Sequence, residues 1–131
     1  MKLLAVLFFL FACIETKNQT VKVLGQTWCE MKQMGNVTIE LWDRNFLLKD
    51  DLLASKISRS DGKFELVGSI DETFEMKPYI RFIHTCRDDK PGCTRTTEYE
   101  VPANFINSEK KYNMEVVTLD IFSTVDFETC E

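Results

Sequence analysis

Residues 78–93 constrain this chain more than any other stretch. Ile80, Phe82, His84 and Cys86 fall on one face of an alternating run, and Tyr79, Arg81, Ile83 and Thr85 fall on the other. Period-two alternation of aromatic and β-branched residues predicts a half-buried strand. The polar run Arg87-Asp88-Asp89-Lys90-Pro91-Gly92 follows, and a Pro-Gly pair ending such a run is turn chemistry. Cys93 then opens a second strand, so the stretch reads as a central strand, a tight return and a partner strand.

The first residues carry a different pattern. Lys2 precedes an apolar run from Leu3 to Ala12, too short to span a bilayer as a helix and built like a secretory signal. We expect residues 1–16 to be a cleaved signal peptide and residues 17–131 to form one domain, secreted and extracellular, with no transmembrane segment. Leu10-Phe11-Ala12-Cys13 also fits a lipoprotein box, which would make Cys13 a lipidated terminus; the simpler expectation is that Cys13 leaves with the signal. Loss of Lys2 and Glu15 keeps the net charge at −5. A mildly acidic chain has no general pull toward nucleic acid.

Without Cys13, four cysteines remain: Cys29, Cys86, Cys93 and Cys130. An even set in a small exported domain implies two disulfides, with three pairings open. The hairpin reading places Cys86 and Cys93 at the mouth of one turn, close enough to bridge. Cys29 and Cys130 would then join if the first and last strands run side by side and parallel.

The remaining strands follow from alternation and turns. Residues 20–30 place Val21, Val23, Gly25, Thr27 and Cys29 on one face, with Gly25 marking a bulge or a close backbone approach. Residues 37–43 place Val37, Ile39 and Leu41 inward and Thr38, Glu40 and Trp42 outward. A weak strand is expected over 52–58, a hairpin turn at Ser60-Asp61-Gly62, and a strand over 63–67 with Phe64 and Leu66 inward. Residues 68–77 read as loop. Strands over 94–101 and 112–122 are separated by a connection with room for one helical turn, and residues 123–131 read as an acidic tail. Seven short strands with turn signals between them predict an all-β sandwich.

Several segments together resemble the nematode transthyretin-like family. They are Val23-Leu24-Gly25-Gln26-Thr27-Trp28-Cys29, Asp50-Asp51-Leu52-Leu53-Ala54, the run Ser60 to Gly68, the run Pro78 to Cys86, and Val101-Pro102, with a cysteine close to the C-terminus. The resemblance implies a secreted, seven-stranded, transthyretin-like (prealbumin-like) β-sandwich of Greek-key type with two disulfides. It implies no settled activity. Some relatives are linked to phosphatidylserine at cell surfaces and others to neural or host-interface roles. Thr85, where the family often has an acidic residue, and the last strand from Tyr112 to Leu119 depart from the pattern.

The candidate chemistry is sparse. Transthyretin-fold hydroxyisourate hydrolases use several histidines and a C-terminal signature, whereas this chain has His84 alone and lacks a general acid/base set. His84 reads as a buried structural residue beside a disulfide. No catalytic residue, metal site or cofactor is expected. Asp43, Asp50, Asp51 and Asp61 could converge on Ca²⁺, but they lie in different loops and read as solvated turn residues. Asn36 and Asn18 head glycosylation sequons. If the strands over 37–43 and 78–86 pair, Trp42, Glu40, Tyr79, Arg81 and Ile83 share an outward face. An aromatic patch with an arginine has the composition of a binding hot spot. The alternative is Arg81 packed over Trp42 as a cation–π pair. The sequence therefore favours a non-enzymatic binding module for an extracellular protein, a cell-surface lipid or a small apolar ligand. A tetrameric small-molecule carrier is the alternative, and a hydrolase is disfavoured.

Overall fold

A computed structural model describes residues 15–121 and 126–131. The expected signal peptide, apart from its last two residues, and Cys13 lie outside them. The described residues form nine strands: β1 (Lys17–Cys29), β2 (Lys32–Gln33), β3 (Thr38–Asp43), β4 (Asp51–Ile57), β5 (Lys63–Glu72), β6 (Pro78–His84), β7 (Cys93–Glu100), β8 (Tyr112–Thr118) and β9 (Phe127–Cys130). A single 3₁₀ turn, Ala103–Phe105, occupies the connection where one helical turn was expected. No described helix is long and apolar enough to cross a membrane.

Two sheets result. In one, β1 pairs antiparallel with β5 and β2 and parallel with β8. The other runs β4-β3-β6-β7-β9, antiparallel throughout. The core between them is supplied by the alternation seen in the sequence: Val21 and Val23 from β1, Ile39 and Leu41 from β3, Phe64 and Leu66 from β5, Ile80 and Phe82 from β6. Phe82 sits edge-on to Phe64 across the sheets, with ring centroids 5.5 Å apart, a favoured aromatic geometry.

Gly25 marks both features anticipated for it. The β1–β8 register shifts between Leu24 and Gln26, where Glu115 on β8 takes a positive φ of 59°. A Cβ on Gly25 would sit 3.2 Å from the Glu115 carbonyl oxygen and 2.9 Å from the Phe64 ring. Gly62 has φ +83°, and a Cβ there would collide with the Thr27 carbonyl. Ser60-Asp61-Gly62 does make a tight turn, with Gly62 N donating to Arg59 O at 2.8 Å. The strands on either side of it nevertheless belong to different sheets, so it is a corner between layers and not a hairpin within one.

Two other expectations are corrected. Residues 68–72, read as loop, continue β5 to Glu72, because β1 begins at Lys17 and offers partners along that whole length. Residues 127–130, read as tail, form β9 along the free edge of β7. β9 and the two-residue β2, neither expected, raise the count among the described residues from seven to nine.

That second correction changes the disulfides. β1 and β8 are adjacent and parallel as supposed, but the bonds are Cys29–Cys86 and Cys93–Cys130, not Cys86–Cys93 and Cys29–Cys130. Ladder pairing in the β6–β7 hairpin stops at His84↔Arg95. Beyond it the chain turns away: Asp88 N donates to Thr85 O and Arg87 adopts φ 56°. Cys86 stays on the inner face of the sheet and meets Cys29 from the opposite layer, with Cα atoms 5.8 Å apart. β9 meanwhile places Cys130 directly opposite Cys93.

Each bond closes a loop of several tens of residues, worth about 4 kcal/mol in the chain-entropy account. Non-reducing digestion is expected to yield one linked pair of peptides containing Cys29 and Cys86 and another containing Cys93 and Cys130. The double variant Cys29→Ala/Cys86→Ala is expected to lose about 4 kcal/mol of unfolding free energy, measured by denaturant titration. A Cys29–Cys130 peptide would contradict the topology.

Candidate functional site

The β3–β6 pairing brings together the five residues proposed from the sequence. Trp42 lies opposite Tyr79, Glu40 opposite Arg81, and Thr38 opposite Ile83. Trp42 and Tyr79 stack at 6.5 Å with planes 9° apart. The Arg81 guanidinium lies 5.0 Å from the Trp42 ring and ion-pairs with Glu98 at 2.7 Å and Glu40 at 3.9 Å. Glu40 in turn accepts from Trp42 Nε1 at 3.2 Å. The cation–π arrangement weighed as the alternative is thus present. The polar atoms of this face are engaged with one another, and Tyr79 is buried.

The face leads into one end of the sandwich. Arg44 covers Tyr79 at 4.2 Å, and the Tyr79 hydroxyl donates to Asp50 Oδ2 at 2.6 Å. Asp50 Oδ1 accepts from Asn45 N at 2.9 Å, and Asn45 Oδ1 accepts from the backbone of Leu47 and Leu48. The Asn45 amide bond, then the Tyr79 hydroxyl and the nearby Arg44 and Arg81 charges, hold the Asp50 carboxyl below the usual carboxylate range. Burial and the hydrogen bond to Asp50 push the Tyr79 phenol up.

This network fills the inside of loop 44–50 with polar side chains and leaves no place there for the apolar ones. Phe46, Leu47 and Leu48 therefore point outward, 76%, 93% and 76% exposed. Loop 73–77 stands beside it. Gln19 anchors that loop by donating to Phe74 O and accepting from Met76 N, each at 2.8 Å, and Phe74 is left 83% exposed. Lys77 Nζ sits 3.9 Å from the Phe46 ring, and Arg44 N donates to Lys77 O at 3.0 Å. The two loops flank open recesses of about 780 and 520 Å³. Four large apolar side chains exposed at this end, with Arg44 and Lys77 beside them and Asp71, Glu72 and Glu75 lining the same recess, form a conspicuous surface feature. The triplet stood out in the sequence only as an interruption in a polar loop. Phe74 carried no signal, because its proximity depends on how β5 ends.

At the base of these loops, Asp43, Asp51 and Glu72 converge, each offering a carboxylate oxygen within 4.8 Å of the others. Asp50 and Asp61, grouped with Asp43 and Asp51 from sequence, do not join them. Asp50 is held by Asn45 and Tyr79. Asp61 binds Lys63 N in the Ser60-Asp61-Gly62 turn. Glu72 was missed because its segment was read as loop. Its carboxyl is raised to about 7 by hydrogen bonding to Asp43, then by burial and the charges of Asp43 and Asp51.

His84 is structural. It is buried, its Nδ1 accepts from Cys86 N at 3.1 Å, and Nε2 lies 3.3 Å from Thr97 Oγ1. Arg95 beside it is also buried and donates to the carbonyls of Cys86 and Leu119. Burial, then the Arg95 charge, lowers the imidazole to about 4. Both sequon asparagines are exposed. Asn18 lies on β1 and donates to Asp71 at 3.0 Å; Asn36 lies in a turn at φ 60°.

The sequence matches a family described as the transthyretin-like family (TTR-52) over residues 24–102. It is 36% identical over 134 residues to "Transthyretin-like protein 16" of Caenorhabditis elegans, covering 100% of each chain. To "Transthyretin-like protein 2" of the same nematode it is 31% identical over 113 residues, covering 79% of this chain and 76% of the relative. Among solved structures, a 9R-lipoxygenase from Cyanothece superposes with a TM-score of 0.46 at 19% identity, covering 77% of this chain and 16% of that one. That overlap has no bearing on function.

The His84 environment sets an acid limb. Folded His84 stays neutral down to about 4, whereas in the unfolded chain it takes up a proton near ~6.5. Its neutral form favours folding fully above the unfolded value, and this contribution drains away as pH falls from ~6.5 toward 4. His84→Gln, whose amide oxygen can still accept from Cys86 N, is expected to show a shallower fall of Tm across that window than the parent. Equal slopes would show that His84 does not titrate as described.

Proposed function

As this chain belongs to the transthyretin-like family, we propose that it is a secreted, non-enzymatic interaction module that docks on cell-surface lipid through the loop end of the sandwich. The observation that carries this reading is the outward presentation of Phe46, Leu47, Leu48 and Phe74 by loops whose polar groups are satisfied internally. Ordering such loops in advance lowers the entropic cost of binding. Apolar side chains with Arg44 and Lys77 among them suit the boundary between acyl chains and head groups, while Asp71, Glu72 and Glu75 line the same recess and keep its charge mixed. Trp42, Glu40, Tyr79, Arg81 and Ile83 lie on the sheet face behind loop 44–50. In this reading Tyr79 and Arg81 brace the loop through Asp50, and the exposed edge of the Trp42 ring meets the head-group layer.

The non-enzymatic reading is supported by the one histidine being buried with both ring nitrogens engaged. Secretion is supported by the apolar N-terminal run and by two disulfides, which persist in oxidising compartments. Glycans at Asn36 and Asn18 would follow from the same route.

Co-sedimentation of the oxidised protein with vesicles of phosphatidylcholine, with and without phosphatidylserine, tests this at physiological salt in calcium and in chelator. The protein is expected to partition onto at least one vesicle type. Phe46→Ser/Leu47→Ser is expected to weaken partitioning by at least about tenfold, from the apolar area no longer buried. Val67→Ser, exposed on β5 in the other sheet, serves as the control that changes nothing. No partitioning, or equal partitioning by the loop variant, would overturn the proposal.

A further inference from the structure

We infer that Asp43, Asp51 and Glu72 form a binding site for a calcium ion that ties the two sheets together beneath loops 44–50 and 73–77. The three carboxylates come from three strands. Asp43 ends β3 and Asp51 opens β4, so they pair directly across the ladder. Glu72 ends β5 in the opposite sheet. Mutually accessible oxygens within 4.8 Å match the separation of ligands around one ion held at the 2.3–2.6 Å typical of Ca²⁺.

Acidic groups often cluster at strand ends without a ligand, so the state of Asp43 decides the matter. It is 1% exposed. Its Oδ1 accepts from Lys77 N at 2.7 Å, while Oδ2 is buried and, apart from the neighbouring Glu72 carboxyl, has no hydrogen-bond partner. An ionised carboxylate oxygen in that position carries a full desolvation penalty unless a cation or a proton meets it. No lysine or arginine among the described residues pairs with Asp43, Asp51 or Glu72. The donor set is all oxygen, which selects a hard cation over zinc or copper. Asp43 is buried, but Asp51 is exposed and Glu72 half-buried, which leaves positions for water, a coordination that Ca²⁺ accepts readily and that Mg²⁺, with its strict octahedral demand, accepts less well.

The position gives the ion a structural role. At the far end of the sandwich, Cys29–Cys86 joins the layers covalently. At the loop end the ion would do the equivalent, bridging β3 and β4 to β5 and fixing where both apolar loops leave the sheets. It would also neutralise carboxylates that lie behind the exposed tip. The inference does not rest on lipid docking, since the site exists in the free protein.

Isothermal titration of the oxidised protein with CaCl₂ at neutral pH, without lipid, is expected to give saturable binding at one site. Dissociation constants of order 10⁻⁴–10⁻³ M are typical of extracellular calcium modules. Asp43→Asn and Glu72→Gln are each expected to weaken it at least tenfold. Glu72→Gln leaves the Asp43–Lys77 hydrogen bond intact, so it remains informative if Asp43→Asn folds poorly. Asp61→Asn, in a turn outside the cluster, is expected to bind as the parent does. Saturating calcium is expected to raise Tm in the parent and not in Glu72→Gln. Absence of saturable binding would overturn the inference. Binding unchanged in both site variants would overturn it equally.

Discussion

Cys86 lies beyond the last rung of the β6–β7 ladder yet remains on the core side of its sheet, and the bond it makes to Cys29 sets what the rest of the sandwich can do. A domain of this size buries only about two-thirds of its unfolded surface, so its two layers gain much from a covalent tie. The tie has its own supporting cast. His84 accepts from the Cys86 amide and Arg95 donates to the Cys86 carbonyl. Arg95 also reaches the Leu119 carbonyl just past β8 and pairs with Asp126 just before β9. β8 and β9 belong to different sheets. A buried arginine with several oxygen acceptors thus links the residue just past β8 to the start of β9, whose last residue, Cys130, bonds Cys93.

With that end closed, the opposite end is free to carry function. Its loops are ordered by polar groups that turn inward. Asp50 gathers the Asn45 amide and the Tyr79 hydroxyl, and Gln19 ties down loop 73–77. Satisfying the backbone this way excludes Phe46, Leu47, Leu48 and Phe74 from the interior. Surface exposure of these residues is a consequence of hydrogen bonding behind them, and it is specified by the same residues that shape the Trp42–Tyr79 face. Sheet face, loop tip and carboxylate cluster therefore form one continuous unit at a single end of the fold.

Much of this was legible in the sequence wherever a residue's role depends on alternation. Val37, Ile39 and Leu41 are buried and Ile80, Phe82, His84 and Cys86 share the inner face because period-two patterning reports directly on which side of a sheet a residue lies. Gly25 and the Asp61-Gly62 turn were legible because their backbone demands are local. What failed depended on partners distant in sequence. β9 has no apolar face of its own and exists because β7 offers an open edge, so its strand character could not be read from Phe127 to Cys130 alone. Missing it gave the wrong cysteine pairs. Likewise, the second half of β5 is a strand because β1 extends back to Lys17, and Glu72 reaches Asp43 only through that extension. From sequence Asp43 and Asp51 read as solvated turn residues, because the ladder that sets them opposite each other and the third carboxylate both depend on register.

Backbone hydrogen exchange read by mass spectrometry, with and without phosphatidylserine-containing vesicles, addresses the central claim that one end of the sandwich is the contact surface. The account predicts slowed exchange in residues 44–50 and 73–77 on addition of vesicles, with the β1–β2 turn at Glu30 and Met31, at the disulfide end, unchanged. Protection centred on that turn, or on the outer face of the β1–β5 sheet with the loops unaffected, would contradict it.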